Sequence, residues 1–276
     1  MQTEVIIIRG NLFTSNAQTL VNTVNTVGIM GAGIALEFRL RYPEMFEKYI
    51  DLCKKKQISI GKLWLYKADD RWILNFPTKK DWKDDSKIEY LEEGLQKLVD
   101  SYKEKGITSI AFPVLGSNHG NIPEEESIKI MKRYLIKCDI PVEIYLYDPD
   151  SPDDLYESLK NKFLSMSIEE IKEKAQIQKQ YAEKLLGILR DDKIKNISSL
   201  TSVEGIGIRT LEKVFDYLFN RVKETKSDEN KEKLLVLAAK YLKPETLKTF
   251  EAHISKQKKI SKSLLKIFET VIKNEK

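Results

Sequence analysis

Apolar and polar positions along the first 148 residues fall into two alternating rhythms. Short runs rich in Val, Ile, Leu and aromatic residues stand at 5–9, 20–24, 63–67, 72–75, 108–112 and 142–147, and they predict β-strands. Between them, apolar residues recur at helical spacing near 34–42, 44–56, 87–105 and 124–137. The segment 87–105 is the clearest. Ile88, Leu91, Leu95, Leu98, Val99 and Tyr102 make one stripe, Ser86 and Glu89 have capping-box spacing, and Gly106 supplies a stop. Short buried strands alternating with helices predict an α/β fold of three layers, with helices covering the sheet. Ligands of such sheets bind where loops leave the strand ends.

Beyond residue 148 the rhythm changes. Asp148-Pro-Asp-Ser-Pro-Asp-Asp154 is rich in turn formers, and no β-like run follows it. Helical patterns fill 155–164, 168–190, 208–223, 229–241 and 260–273. The expected organisation is an α/β domain over 1–148, a linker at 149–154 and an all-helical C-terminal domain over 155–276.

Composition narrows the classes. Charged residues are 32% and hydrophobic residues 41% of the 276, a soluble globular balance, and no apolar run approaches membrane-spanning length. No membrane partner is expected. The start of the chain lacks a signal-peptide layout, and Cys53 and Cys138 read as buried thiols of a reducing compartment, so a cytoplasmic location is expected. With two cysteines and two distant histidines, His119 and His253, neither a protein-built metal site nor a cofactor is expected. The net charge of +5 is unevenly placed: residues 1–150 balance at −1 and residues 151–276 at +6, with Lys256, Lys258, Lys259, Lys262 and Lys266 clustered. A basic appendage fits a polyanionic partner and equally a solvated lysine-rich face.

Candidate chemistry begins where the strand at 20–24 ends. Asn22 and Asn25 flank that end, and a loop with Gly28, Gly31 and Gly33 leads into the next helix. Glycines let backbone N–H groups approach a ligand, and the helix N-terminus favours phosphate. The spacing matches neither the P-loop nor the dinucleotide fingerprint. Short amides at the rim suit ribose hydroxyls, since each offers a donor and an acceptor.

Five motifs occur in order: Arg9-Gly-Asn11-Leu12, Val21-Asn-Thr-Val-Asn25, Gly28-Ile-Met-Gly-Ala-Gly-Ile-Ala35, Asn75-Phe-Pro-Thr-Lys79 and Phe112-Pro-Val-Leu-Gly116. Over about residues 4–148 the chain resembles a macrodomain. More narrowly it is similar to the DNA ADP-ribosyl glycohydrolases, the DarG-type antitoxins paired with DNA ADP-ribosyltransferase toxins. The resemblance implies a mixed sheet between helices and an ADP-ribose site. Asn11 and Leu12 would lie at the adenine end, Asn11 standing where many macrodomains carry an aspartate. Asn22 and Asn25 would address the distal ribose, with Asn22 and Lys79 as the catalytic pair. The diphosphate would be clasped by Gly31, Ala32, Gly33, Ile34 and Ala35 on one side and by Gly116, Ser117, Asn118, His119 and Gly120 on the other. Lys80, Trp82 and Lys83 would touch the DNA leaving group.

A lysine at the distal ribose makes chemical sense. Splitting an N-glycosidic bond leaves positive charge on the sugar and negative charge on the departing base. A charged Lys79 could stabilise or protonate that base, whereas a neutral one could attack the anomeric carbon. The second loop departs from the family: Asn118 and His119 replace smaller or apolar residues, and a tryptophan usual shortly afterwards is absent. His119 is a further candidate base.

Within the helical half, residues 197–219 resemble a helix-hairpin-helix. Gly205 and Gly207 would present backbone N–H groups to a DNA phosphate, and Arg209 and Lys213 would add charge. Leu211 departs from that pattern, and a glycine turn in a toxin-binding domain reads the same segment as well. The expected function is removal of ADP-ribose from modified DNA bases, with ADP-ribosylated DNA and a cognate toxin as partners. Its alternatives are a non-catalytic ADP-ribose reader and a glycohydrolase of ADP-ribosylated protein.

Overall fold

Successive residues of the central strands face opposite sides, and this alternation builds the layers. In the computed structural model, residues 4–151 and 153–221 are described, with the isolated positions 235, 238 and 239. The strands are β1 (Val5–Gly10), β2 (Thr19–Val24), β3 (Trp64–Lys67), β4 (Trp72–Pro77), β5 (Ile110–Pro113) and β6 (Val142–Tyr147). They form one sheet in the order β1-β6-β5-β2-β4-β3, parallel except for β3, which runs antiparallel to β4 at the edge.

Leu20, Ile73, Ala111 and Tyr145 pack on one side with Phe38, Met45 and Tyr49, from helices α1 (Gly33–Arg41) and α2 (Pro43–Lys54). Their neighbours Val21, Leu74, Phe112 and Ile144 pack on the other. There they meet Leu91, Leu95 and Leu98 of α3 (Ile88–Lys105) and Met131 and Leu135 of α4 (Glu124–Leu135). Close approach demands a small residue in α3: a Cβ on Gly94 would collide with the Phe76 ring. Gly106 ends α3 in the left-handed region at φ +76°, as the sequence predicts. The expected capping box does not form. The N-cap is Lys87 with no side-chain bond, and the Ser86 hydroxyl is left without a partner two residues before the helix.

Helices continue as α5 (Tyr156–Leu164), α6 (Ile168–Lys174), α7 (Lys179–Leu189), α8 (Ile197–Thr201) and α9 (Ile208–Leu218). The single helix expected over 168–190 is broken at Gln176, which takes φ +54° without a glycine or proline to mark it. The helices expected at 229–241 and 260–273, and the lysine cluster at 256–266, lie outside the described residues apart from positions 235, 238 and 239, which are helical.

The expected boundary at 149–154 is not where the contacts divide. Residues 1–220 form one compact unit and 221–276 a second. The reason lies in α1, which is apolar on two faces. Phe38 faces the sheet, whereas Leu36 and Leu40 enter a second core with Phe163, Leu185, Leu189, Leu200 and Phe215 of the following helices. Asp153 and Asp154, read from the sequence as linker, meet Arg41 at 3.7 and 2.7 Å. Arg41 also holds Glu37 at 2.7 Å, and Arg39 holds Glu212 of α9 at 2.7 Å.

Arg41 therefore faces three carboxylates. Burial pushes Glu37 up to about 7 from its ordinary 4.5; Arg41 opposes this and Asp153 adds to it. A raised carboxyl contributes stability that is complete below about 4.5 and is lost as pH rises through about 7. Glu37→Gln should thus gain melting temperature relative to the unaltered chain between about pH 5 and about pH 8. A difference that stays constant across that range would place no such burden on Glu37.

Candidate functional site

The C-terminal ends of the five parallel strands open into one cavity of about 1070 Å³. Strand order sets its long axis. Gly10, Asn11 and Tyr147, at the ends of β1 and β6, line one end; Thr78 and Lys79, after β4, line the other. Neighbouring strands lie about 4.8 Å apart, so these ends are separated by roughly 19 Å.

A helix N-terminus opens onto the middle of the cavity. Gly33, Ile34 and Ala35 open α1, where N–H groups have no helical partner, and the N-cap residue Ala32 offers no side-chain bond. The first helical bond is Leu36 N–H to the Ala32 carbonyl at 3.3 Å. The positive end of α1 therefore points into the cavity. Gly33 sits at φ +54°, and a Cβ there would lie 3.1 Å from the His119 ring. Opposite it, Gly116 at φ +64° turns the chain after β5, and Ser117 accepts from the N–H groups of Gly120 and Asn121 at 2.7 and 2.8 Å. The two loops meet across the cavity, with His119 laid over Gly33 and the Lys79 ammonium donating to the His119 carbonyl oxygen.

Of the residues expected from the sequence, Asn11, Leu12, Asn25, Gly31 to Ala35, Lys79, Trp82, Lys83 and Gly116 to Gly120 line this one cavity. Asn22 does not. It is fully buried, pairs with Asn75 in register across β2 and β4, and donates to the Asn75 Oδ1 at 2.9 Å. Its Nδ2 thus ties β2 to β4, while its buried Oδ1 has no hydrogen-bond partner. Asn25 is largely spent on its own loop: Oδ1 accepts from Val27 and Ile29 N–H at 3.1 and 3.2 Å, and Nδ2 donates to the Ile29 carbonyl at 2.6 Å. It shapes the glycine loop more than it offers an amide to a ligand. Asn11 likewise caps a short 3-10 turn through Phe13 N–H at 2.9 Å and donates to Asp153 at 3.2 Å. Lys80 lies outside the wall, exposed, its carbonyl accepting from Thr26 N–H at 3.0 Å. Trp82 stands 53% exposed at the rim, which leaves its ring free to stack.

The hairpin residues Gly205, Gly207, Arg209 and Lys213 lie away from the cavity, all exposed, and Lys213 donates to the Gln176 carbonyl at 2.7 Å. Leu211 is buried in the helical core. The wall also contains residues that sequence reasoning missed: Glu37, Asp85, Ser86, Tyr147, and Ser198, Ser199 and Ser202 of the segment around α8. Among the described residues no cluster of three or more His, Cys, Asp or Glu could hold a metal ion, and no helix is long and apolar enough to cross a membrane.

A sheet with this order and a ligand cleft between a helix N-terminus and a second loop define a class, and residues 21–131 match the Macro domain family. Over that part the chain has the macrodomain fold. It is 41% identical over 146 residues to a DNA ADP-ribosyl glycohydrolase of Thermus aquaticus, covering 51% of this chain and 40% of that protein. The chain thus spans about two-fifths of that relative's length. The macrodomain of Mycobacterium tuberculosis DarG matches at 38% identity and a TM-score of 0.50, covering 52% of this chain and 97% of that structure. Thermosipho africanus DarTG in complex with ADP-ribose matches at 38% identity and a TM-score of 0.51, covering 54% and 43%.

Gly33→Glu should abolish binding of ADP-ribose, because any side chain there meets His119 and a carboxylate opposes the helix-end site. Titration calorimetry giving near-normal affinity would show that the α1 N-terminus is not the anion cradle.

Proposed function

We propose that this protein binds ADP-ribose in the strand-end cleft and hydrolyses the N-glycosidic bond that joins it to a DNA base, countering a DNA ADP-ribosyltransferase. The observation that carries this reading is the placement of Lys79 at one end of a cleft whose middle is a helix-end anion site. A diphosphate seated at Gly33–Ala35 sends its terminal ribose toward Asn25 and Lys79 and its adenosine toward Asn11 and Tyr147. The relatives named as glycohydrolases, and the related DarTG structure with ADP-ribose, support the substrate class.

Lys79 is half-buried at the cleft wall, and its side-chain nitrogen donates to the His119 carbonyl oxygen. A donor held at that end supports electrostatic help to the departing base. Trp82 and Lys83, at the rim beside Lys79, are the surface that the DNA would meet; the Lys83 ammonium lies 5.4 Å from the Trp82 ring centroid. Exposed Gly205, Gly207, Arg209 and Lys213 are a second candidate contact for the DNA backbone. One feature favours a binding-only reading: His119 over Gly33 narrows the phosphate channel.

Incubation with ADP-ribosylated DNA oligonucleotides and with ADP-ribosylated proteins, followed by detection of free ADP-ribose, separates the readings. Release from DNA alone is expected. Release from protein alone, or binding without release, would overturn the reading. Lys79→Ala should lower the release rate by about 10²-fold or more while leaving ADP-ribose affinity within about threefold, since transition-state charge appears in rate more than in binding. An unaltered rate would remove Lys79 from the mechanism.

A further inference from the structure

Helix α8 follows the stretch matched to the family, yet Ser198, Ser199 and Ser202 line the cavity. Their i, i+1, i+4 spacing places them on one helical face. The opposite face carries Ile197 and Leu200, both fully buried in the helical core. Apolar side chains thus turn away from the cleft, and hydroxyls turn toward it.

The helix is fixed in this position by polar contacts to α1 and to the acidic turn after β6. Ser198 Oγ donates to Glu37 Oε2 at 3.1 Å, and Asn196 Nδ2 donates to the Pro149 carbonyl at 2.7 Å. Ile197 N–H donates to Asp153 Oδ2 at 2.9 Å, the oxygen that also accepts from Asn11. Asn11 and Tyr147 mark the cavity end farthest from Lys79, and α8 adjoins that same end.

We propose that the hydroxyl face of α8 is a wall of the ligand site that contacts the adenosine half, so that residues 153–220 set ligand specificity. This rests on the reading that the cleft takes ADP-ribose. With the diphosphate at the α1 N-terminus and the terminal ribose toward Lys79, the adenosine is the part of the ligand directed to the Asn11 and Tyr147 end, which α8 adjoins. A serine oxygen that donates to the protein can still accept, which suits the amino edge of a purine or the hydroxyls of its ribose. Ser199 donates to Asn196 Oδ1 and Ser202 to the Ser198 carbonyl, each at 2.9 Å, so both oxygens keep acceptor capacity toward the cavity.

The test uses Ser202→Cys in the full chain. Ser202 is exposed and the replacement is nearly isosteric, while the native thiols of Cys53 and Cys138 are buried. Saturating ADP-ribose or ADP should slow maleimide alkylation at position 202 at least about tenfold, and ribose 5-phosphate, which lacks the adenosine, should not. Calorimetry on the same protein reports binding independently. Binding of ADP-ribose without protection, or equal protection by ribose 5-phosphate, overturns the proposal while sparing the proposed function. Absence of ADP-ribose binding by the unaltered chain overturns both. As a second variant, Ser202→Trp should weaken ADP and ADP-ribose by the same factor, at least about tenfold. Unchanged affinity in a normally melting protein also overturns the proposal.

Discussion

The Arg41 guanidinium ties together the parts that make the site. It bonds Glu37 one turn earlier in α1, reaches Asp153 and Asp154 at the start of the helical extension, and lies 3.9 Å over the ring of Phe13, a cavity residue. Ion pairs this deep contribute little when complete, but breaking one leaves uncompensated buried charge at a cost of about 3–5 kcal/mol. The network therefore acts as a fastening whose loss is expensive, with apolar contacts from Leu36 and Leu40 supplying the burial around it.

Because of that fastening, α1 serves two ends at once. Its N-terminus supplies unpartnered N–H groups to the cleft, and its C-terminal turn anchors the helices that follow the sheet. The two ends belong to one helix of nine residues, so a shift of the extension would move the turn that opens onto the cleft. The macrodomain and residues 153–220 are thus one compact unit, and α8 contributes serines to the lining of the cleft.

Much of this was legible in the chain itself. The alternation of Leu20 with Val21 and of Ile73 with Leu74 marks a sheet covered on both sides, and the glycines before Ile34 and after Val114 mark the two loops of the cleft. What the sequence hides is long-range pairing. Asn22 stands in register with Asn75 and donates to it, and no local pattern encodes that register. The acidic turn at 148–154 looks like a linker because the cation that its carboxylates meet, Arg41, lies more than a hundred residues away in the chain. The serines of α8 carried a signal in their spacing, but a helical face does not say what it will face.

The most direct measurement is a crystal structure of the chain with ADP-ribose bound. The diphosphate is expected against the N–H groups of Gly33, Ile34 and Ala35 beneath His119, with the adenosine toward Tyr147 and α8 and the terminal ribose beside Lys79. A diphosphate bound elsewhere, or a ligand running in the opposite direction along the cleft, would contradict this.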